Sequence, residues 1–423
     1  MAKVHFITQG CSANQADSEI MQGILQKCGH EITDEENDAD AIVFNTCTVK
    51  GPTESFFRKK LADLHGRRKK VIIAGCIPQS EKDKHGFQQH SLIGTFQIDK
   101  IASAVDTTLE GGIVSFLARE NKSRLAFPKI RKSPIIEIVP INDGCLGSCT
   151  FCKTKQARGN LFSYPENEIV RHISKAVEEG AQEIWLTSQD TAAYGKDKGI
   201  TIVELLQKIL EIEREFRLRV GMGNPECLLP FIREFAAALK HQKAFKFVHI
   251  PVQSGSNAVL RAMRREYSSE EFRRIISVLR EEIPSITIAT DIICGFPGER
   301  EQDFQDTLEL VREIKFDAIN ISKFWPRPGT AAYFMQPIDG AIVKQRTSQL
   351  ATLFKDIALE RNSKWIGWKG SILIDERGKN GSSIGRNDFY KQVIVKGGYE
   401  PGTHLSVEIT GYTSYDLRAR VTS

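Results

Sequence analysis

Cys145-Leu-Gly-Ser-Cys149-Thr-Phe-Cys152 places three thiols within eight residues, spaced C-x3-C-x2-C. Thiolates are soft ligands that favour zinc, copper(I) or iron–sulfur clusters. Three of them can hold three irons of a 4Fe–4S cube, leaving one iron open to a small chelating ligand. A zinc site with a distant fourth ligand, or three unligated core thiols, fits the triplet as well. A second set is more dispersed. Gln9-Gly10-Cys11, Asn45-Thr46-Cys47 and Ala74-Gly75-Cys76 each close a short apolar run. In a parallel sheet the carboxyl ends of the strands line one crevice, so these three thiols can converge there. Any one of them alone reads as a small buried residue; three in the same relation to three strands favour a second cluster site. Cys28, Cys227 and Cys294 lack such a context and read as packing residues.

The elements that must position these thiols follow from hydrophobic pattern. The chain has 423 residues, 41% apolar and 26% charged, with a formal net charge of +5. That is enough for two or three domains of an ordinary globular protein, and it permits nucleic-acid binding without demanding it. No apolar run reaches the length of a membrane span and the amino terminus has no apolar signal core, so a cytoplasmic protein without membrane attachment is expected. In such a chain nine cysteines point to metal or redox chemistry rather than disulfides. Runs at 4–8, 41–45 and 71–74, separated by helices near 15–28 and 52–65, predict a parallel-sheet α/β domain over residues 1–118. Residues 119–134, with prolines and several Lys/Arg, read as a linker. Residues 135–363 alternate again, with strands at 136–141, 183–188, 218–222, 245–250, 286–290 and 318–322, and predict a partial (β/α)6 barrel. A capping box at Ser163-Tyr-Pro-Glu166 announces one of its helices. Residues 364–423 hold short β runs between glycine turns, as in a small all-β barrel, with nine basic and six acidic residues. Arg67-Arg68-Lys69-Lys70 reads as a solvated loop or, more sharply, as an RNA-facing patch.

Polar and glycine residues cluster where barrel strands end: Ser188-Gln189-Asp190, Gly223-Asn224-Pro225, Gln253-Ser254-Gly255 and Gly295-Phe-Pro297-Gly-Glu299, with Asp291 directly after the run at 286–290. In β/α barrels the active site lies at those ends. The Cys145 triplet, with Phe151 before its last cysteine, resembles the radical-SAM signature. With the motifs at Cys11, Cys47, Cys76, His249-Ile-Pro-Val-Gln-Ser-Gly255 and Arg327-Pro-Gly-Thr330, nearly the whole chain resembles the radical-SAM methylthiotransferases. Cys47-Thr-Val-Lys-Gly-Pro-Thr-Glu54, Cys152-Lys-Thr-Lys-Gln-Ala-Arg-Gly159 and Leu186-Thr-Ser-Gln-Asp190 are similar to the archaeal and eukaryotic branch, which acts on N6-threonylcarbamoyladenosine beside the tRNA anticodon.

The resemblance implies two 4Fe–4S clusters, one on Cys145, Cys149 and Cys152 and one on Cys11, Cys47 and Cys76. It implies S-adenosylmethionine (SAM) both as methyl donor and as source of a 5′-deoxyadenosyl radical that activates C2 of the base. Phe151, Gln189, Asp190, Asn224, Gln253, Ser254, Gly255, Asp291, Gly295 and Pro297 are then the candidate SAM contacts. The last domain resembles a TRAM domain, an RNA-binding barrel, with Arg386 and Tyr390 as candidate RNA contacts. A threonyl carboxylate needs a cationic partner when desolvated, which makes Lys50, Lys153 and Lys155 candidate readers and Arg158 a further substrate contact. The expected partners are the tRNA anticodon stem-loop, an electron donor and a sulfur source. The alternatives are the same chemistry on isopentenyladenosine or on a ribosomal protein, or an iron–sulfur RNA-binding protein without catalysis.

Overall fold

The computed structural model describes residues 1–48, 51–81 and 86–422. The first domain runs β1 (Lys3–Thr8), α1 (Ser12–Lys27), β2 (Glu31–Ile32), β3 (Ala41–Thr46), α2 (Gly51–Gly66), β4 (Lys70–Gly75), α3 (Cys76–Ser80), β5 (Ser91–Gly94), α4 (Ile101–Leu109) and β6 (Ser115–Phe116). Its sheet is parallel throughout, in the order β2-β1-β3-β4-β5-β6. The strands are apolar on both faces because both are covered. Val43, Ile72 and Ala74 pack with Ile20, Met21, Ile101 and Val105 of α1 and α4, whereas Ile42, Phe44 and Ile73 pack with Phe57, Leu61 and Leu64 of α2. Of these strands only β1, β3 and β4 were legible as apolar runs.

The second domain has six parallel strands in sequential order: β7 (Ile136–Pro140), β10 (Glu183–Thr187), β11 (Arg217–Arg219), β12 (Phe247–His249), β13 (Thr287–Cys294) and β14 (Ala318–Lys323). Single bridges, Leu218 to Ala244 and Met222 to His249, join the two halves of the sheet. A small hairpin, β8 (Asn142–Asp143) with β9 (Phe162–Ser163), brackets the cysteine loop and α5 (Thr154–Arg158). The covering helices are α6 (Glu166–Glu178), α7 (Ile202–Leu210), α8 (Pro225–Leu228), α9 (Ile232–Leu239), α10 (Asn257–Ala262), α11 (Ser269–Glu282), α12 (Glu301–Ile314) and α13 (Gly340–Ser363). Alternate strand residues such as Ile184, Leu186, Leu218, Val248 and Ile288 face these helices. Their neighbours line the inside of the partial barrel.

The third domain is a closed barrel, β15 (Lys369–Arg377), β16 (Ser382–Arg386), β17 (Gln392–Lys396), β18 (His404–Tyr412) and β19 (Leu417–Val421), in the order β15-β16-β17-β19-β18. Strands β16 and β19 were not read from sequence, since Ser-Ser-Ile-Gly-Arg and Leu-Arg-Ala-Arg-Val carry few apolar residues. Among the described residues no helix is long and apolar enough to cross a membrane.

Several expectations are corrected. Ser163 lies in β9 and caps nothing; α6 begins after Pro165 with no side-chain cap. The capping boxes stand instead at Thr201/Glu204 and Ser268/Glu271. Cys28 is exposed at the end of α1 rather than packed; Cys227 and Cys294 are buried. Arg67 pairs with Glu36 and Asp63, Lys69 donates to backbone oxygens of Asn37 and Ala39, and Lys70 donates to that of Leu109. Arg67, Lys69 and Lys70 are therefore tied to their own domain, and the run is largely exposed, as the solvated-loop reading has it.

The stretch 119–134 has no regular structure, yet it is a seam rather than a loose linker. Buried Arg124 donates to Asp17 of α1, to Asp143 and to the Tyr164 hydroxyl oxygen. Lys129 bridges Glu19 and Glu137, and Arg131 joins Glu137 to Glu179. A second seam closes the other end of the partial barrel. Tyr390 inserts between Phe245 and Phe247, with ring centroids at 4.8 and 4.9 Å, and lies beneath the guanidinium of Arg219. Asp388 pairs with Arg217, and Lys391 with Asp317.

Two outcomes test these seams. Arg124→Met leaves Asp17 with Arg158 alone and Asp143 buried without its close cation, and denaturant unfolding should show a loss of ~3–5 kcal/mol. Glu183, wholly buried in the second seam, is pushed up to about 7 by burial and then by Asp375. A raised carboxyl favours the folded state only while protonated, so its ionisation weakens folding as pH climbs from the unfolded value toward 7. The stability advantage of Glu183→Gln over the natural protein should therefore grow by ~3 kcal/mol across that window and be flat on either side.

Candidate active site

The carboxyl ends of β1, β3 and β4 carry Cys11, Cys47 and Cys76, and the loop after β8 carries Cys145, Cys149 and Cys152. All six line one cavity of about 730 Å³ between the first domain and the barrel. Local backbone chemistry brings the first set together. Gly10 has φ +106°, and a Cβ there would lie 2.6 Å from Cys47 Cβ and 2.8 Å from Cys47 Sγ. Gly75 has φ +91°, and a Cβ there would meet Asn45 Oδ1 at 2.2 Å. Asn14 laces these turns: its Nδ2 donates to the backbone oxygens of Gln9 and Thr46, and its Oδ1 accepts from Cys76 Sγ at 3.5 Å.

The second set is held by donors to sulfur. Gly147 N donates to Cys145 Sγ at 3.3 Å, Thr154 N to Cys152 Sγ at 3.4 Å, and Arg265 Nη1 to Cys149 Sγ at 3.1 Å. A Cβ at Gly147 would lie 3.5 and 3.7 Å from the sulfurs of Cys145 and Cys149, so both fold over this residue. Burial, then Asp190 and the neighbouring thiols, pushes Cys145 up to about 12; burial does the same to Cys76, with Arg158 opposing it. Thiols so placed resist ionising alone, and a bound cationic core reverses that preference by deprotonating them outright. Among the described residues no three His, Cys, Asp or Glu converge on a single ion position. A cube does not require it, because each thiolate takes a different iron. The donor set thus fits iron–sulfur clusters.

Of the candidate SAM contacts, Phe151, Gln189, Asn224, Gln253 and Asp291 line the cavity. The other five stand behind it. Asp190 is spent on Ala192 N and on both nitrogens of Asn224, which it orients. Ser254 Oγ shares a hydrogen bond with Thr307, and Gly255 is pressed against α12, where a Cβ would meet Asp306 O at 2.5 Å. Gly295 packs under Val343 of α13, and Pro297 lies in the buried turn that Glu299 closes by accepting from Gly295 N. These are strand-end residues that build the rim rather than face it.

The cation candidates divide likewise. Lys153 is buried against Glu81 at 2.7 Å and does not reach the cavity. Lys155 lines it but donates to the Leu146 and Gly147 carbonyls, bracing the cysteine loop. Lys50 lies outside the described residues. Arg386 pairs with Asp375 and stacks on Tyr390, and both are engaged in the seam under the barrel. Arg158 lines the cavity from a buried position.

Arg119, Arg219, Arg264 and Arg265 also line it and were not foreseen. Arg265 is 116 residues from Cys149, and only the fold reveals their contact. His249, which was legible only as part of a motif, pairs through Nε2 with Asp291 Oδ2 at 3.0 Å on the cavity wall. With six Lys/Arg against Asp291 as its one acid, the described lining is strongly cationic. Such a concave surface draws in polyanions.

Comparison with known proteins agrees with this architecture. Residues 3–93 match the Uncharacterized protein family UPF0004, residues 139–311 the Radical SAM superfamily and residues 369–422 the TRAM domain. The chain is 44% identical over 402 residues to a threonylcarbamoyladenosine tRNA methylthiotransferase of Homo sapiens, covering 93% of this chain and 69% of that one. It is 40% identical over 426 residues to a probable threonylcarbamoyladenosine tRNA methylthiotransferase of Pyrococcus abyssi, covering 100% of both. Among solved structures, the radical S-adenosylmethionine methyltransferase TsrM of Kitasatospora setae superposes with a TM-score of 0.56 at 13% identity, over 78% of this chain and 77% of that one. The cobalamin-dependent radical enzyme OxsB gives 0.54 at 13%, over 84% and 55%. These two likenesses concern the fold alone.

Gly10→Ala tests the first thiol set. The left-handed backbone and the overlap with Cys47 together cost ~1–3 kcal/mol locally and move that thiol. Iron bound by the purified protein should fall by about one cluster, while the set at Cys145 keeps its own.

Proposed function

The chain belongs to the threonylcarbamoyladenosine tRNA methylthiotransferases, and on that footing we propose that it converts N6-threonylcarbamoyladenosine 3′ of the anticodon to its 2-methylthio derivative. It is a radical-SAM transferase that uses 4Fe–4S clusters and SAM and acts on tRNA. One observation carries the detailed reading: six cysteines from two domains open into a single cationic cavity. When bound, the clusters and SAM supply reducing equivalents, sulfur and methyl, and the radical that activates C2 of the base.

The work of the chain is placement. Cys145, Cys149 and Cys152 hold the cluster that meets SAM, and Cys11, Cys47 and Cys76 hold the auxiliary one. Phe151, Gln189, Asn224, Gln253 and Asp291 form the polar and aromatic wall against which SAM is bound. His249, held by Asp291, is placed to take or give a proton inside the cavity. The target base enters unstacked from its loop, since neither thiol set can reach an atom inside a stacked helix. An electron donor and a sulfur source complete the reaction, and the cytoplasm is where tRNA meets them. The domains we assign are 1–118, the seam 119–134, the barrel 135–363 and the TRAM barrel 364–423.

The threonyl carboxylate requires a cation in this cavity. Arg119 stacks on Phe96 and donates to the Gln156 carbonyl oxygen, whereas the Arg264 side chain is exposed at the cavity with no partner among the described residues. Arg264 also sits at φ +55°. We assign the carboxylate to Arg264.

Mass spectrometry of tRNA from cells with and without the gene tests the function. The 2-methylthio derivative of threonylcarbamoyladenosine should vanish without it, and loss of an isopentenyladenosine product instead would overturn the assignment. Cys145→Ala should abolish 5′-deoxyadenosine formation. Cys47→Ala should leave that formation measurable and stop methylthiolation. Arg264→Met should cost ~1.5–3 kcal/mol in kcat/KM on the natural substrate and little on its threonyl amide. Equal losses on both would remove Arg264 from that role.

A further inference from the structure

Arg158 is only 2% exposed, yet it is not fully satisfied where it lies. Its Nη2 donates to Asn14 Oδ1 at 2.6 Å and pairs with Asp17 Oδ2 at 2.6 Å. Among the described residues its Nη1 makes no hydrogen bond; the nearest acid there, Asp143 Oδ1, stands 3.9 Å away and already accepts from Arg124. A buried N–H without an acceptor is costly, more so on a charged group. The residue lines the cavity beside Cys11, Cys47 and Cys76. Cys76 Sγ donates to the same Asn14 Oδ1 that Arg158 holds, so the guanidinium and this thiol converge on one oxygen atom. Arg158 ends α5, six residues beyond Cys152, and so reaches the auxiliary site from the radical-SAM loop.

We propose that Arg158 Nη1 donates to an anionic sulfur of the auxiliary site, a cluster sulfide or the Cys76 thiolate, and holds that cluster at a higher reduction potential than its thiolates alone would set. This rests on the assignment of Cys11, Cys47 and Cys76 to a cluster. One-electron reduction adds a negative charge to the cluster while the guanidinium stays fixed and charged. Charge and hydrogen bonds at the sulfurs are established determinants of such potentials. In this geometry one arginine ties the electrostatics of the sulfur-donor site to the loop that binds SAM.

The test uses the full-length chain with Cys145, Cys149 and Cys152 changed to Ala, reconstituted so that only the auxiliary cluster remains. Its midpoint is read by electron paramagnetic resonance during titration with dithionite, without added sulfide or thiol. Arg158→Met should lower the midpoint by about tenfold in the one-electron equilibrium, ~59 mV. Arg158→Lys, which keeps a charge but not the fork, should lower it less. Asp17→Asn, which removes the opposing anion, should raise it. An unchanged midpoint in Arg158→Met with normal iron content would show that Nη1 serves only the fold. If Arg158→Met does not retain its cluster, identical midpoints for the natural residue, Arg158→Lys and Asp17→Asn would overturn the proposal. Absence of any cluster in the parent background would instead overturn the assignment of the three thiols.

Discussion

The interaction on which the site depends is the buried ion network of Arg124, Arg158, Asp17 and Asp143. Asp17 belongs to α1, whose first turn follows Cys11; Asp143 ends the short strand that leads into Cys145. The two arginines couple these acids across the domain boundary. Isolated charges could not be buried there, and replacing one member leaves its partners stranded. A network of this kind is a weak source of net stability but a strong constraint on geometry, because only one arrangement pairs every charge. It locks two thiol sets from separate domains over one cavity. An apolar seam of equal area would tolerate sliding that the chemistry cannot.

The opposite end of the barrel follows the same logic with different chemistry. Six strands do not close a barrel, so its floor needs a plug. The turn around Tyr390 provides one, with an aromatic ring between Phe245 and Phe247 and cations of Arg219 and Arg386 on its faces. Arg219 also reaches the cavity lining. The TRAM barrel is therefore part of the catalytic domain's structure and not an appendage. On its outer face Arg418 and Arg420 are exposed and pair with Asp416 and Glu408. Excising it would uncover Trp185 and Phe247 and confuse a binding defect with a folding one.

The sequence made the parallel sheets legible through β3, β4, β10 and β13, whose apolar runs are long enough to show burial on both faces. It also made the cysteine logic legible, since a thiol directly after a strand has few places to be. Short edge strands such as β2 and β6, and the sparse β16 and β19, left no such mark. Half of the candidate SAM contacts stand behind the cavity wall for a related reason. Turn chemistry and ligand chemistry use the same residue types, and only depth separates Asn224 on the wall from Asp190 behind it. Basic residues were hardest to read. Lys153 and Lys155 follow a ligand cysteine, yet one pairs with Glu81 and the other braces the loop, because local chain direction decides where a side chain points. Arg265 and Arg124 act through partners more than a hundred residues away, Cys149 and Asp17, and no local pattern encodes that.

The cavity's charge bears on why these cations are arginines. A guanidinium stays ionised in a desolvated pocket where an ammonium would shed its proton, and its fork serves two acceptors at once. Arg265 illustrates this by holding Cys149 Sγ with Nη1 and Asn224 Oδ1 with Nη2, which links a ligand thiol to a wall residue in one rigid plane. Arg158 holds Asn14 Oδ1 and Asp17 Oδ2 with its Nη2 beside the other thiol set. Each thiol set thus has one buried arginine beside it, anchored to an asparagine: Asn14, which also binds the local backbone, and Asn224, which Asp190 holds. Two anionic cofactors brought close together repel each other, and fixed cations beside each reduce that cost without moving when the clusters change charge. The lining therefore places its buried guanidinium groups next to sulfur, while Arg264 stands exposed at the cavity.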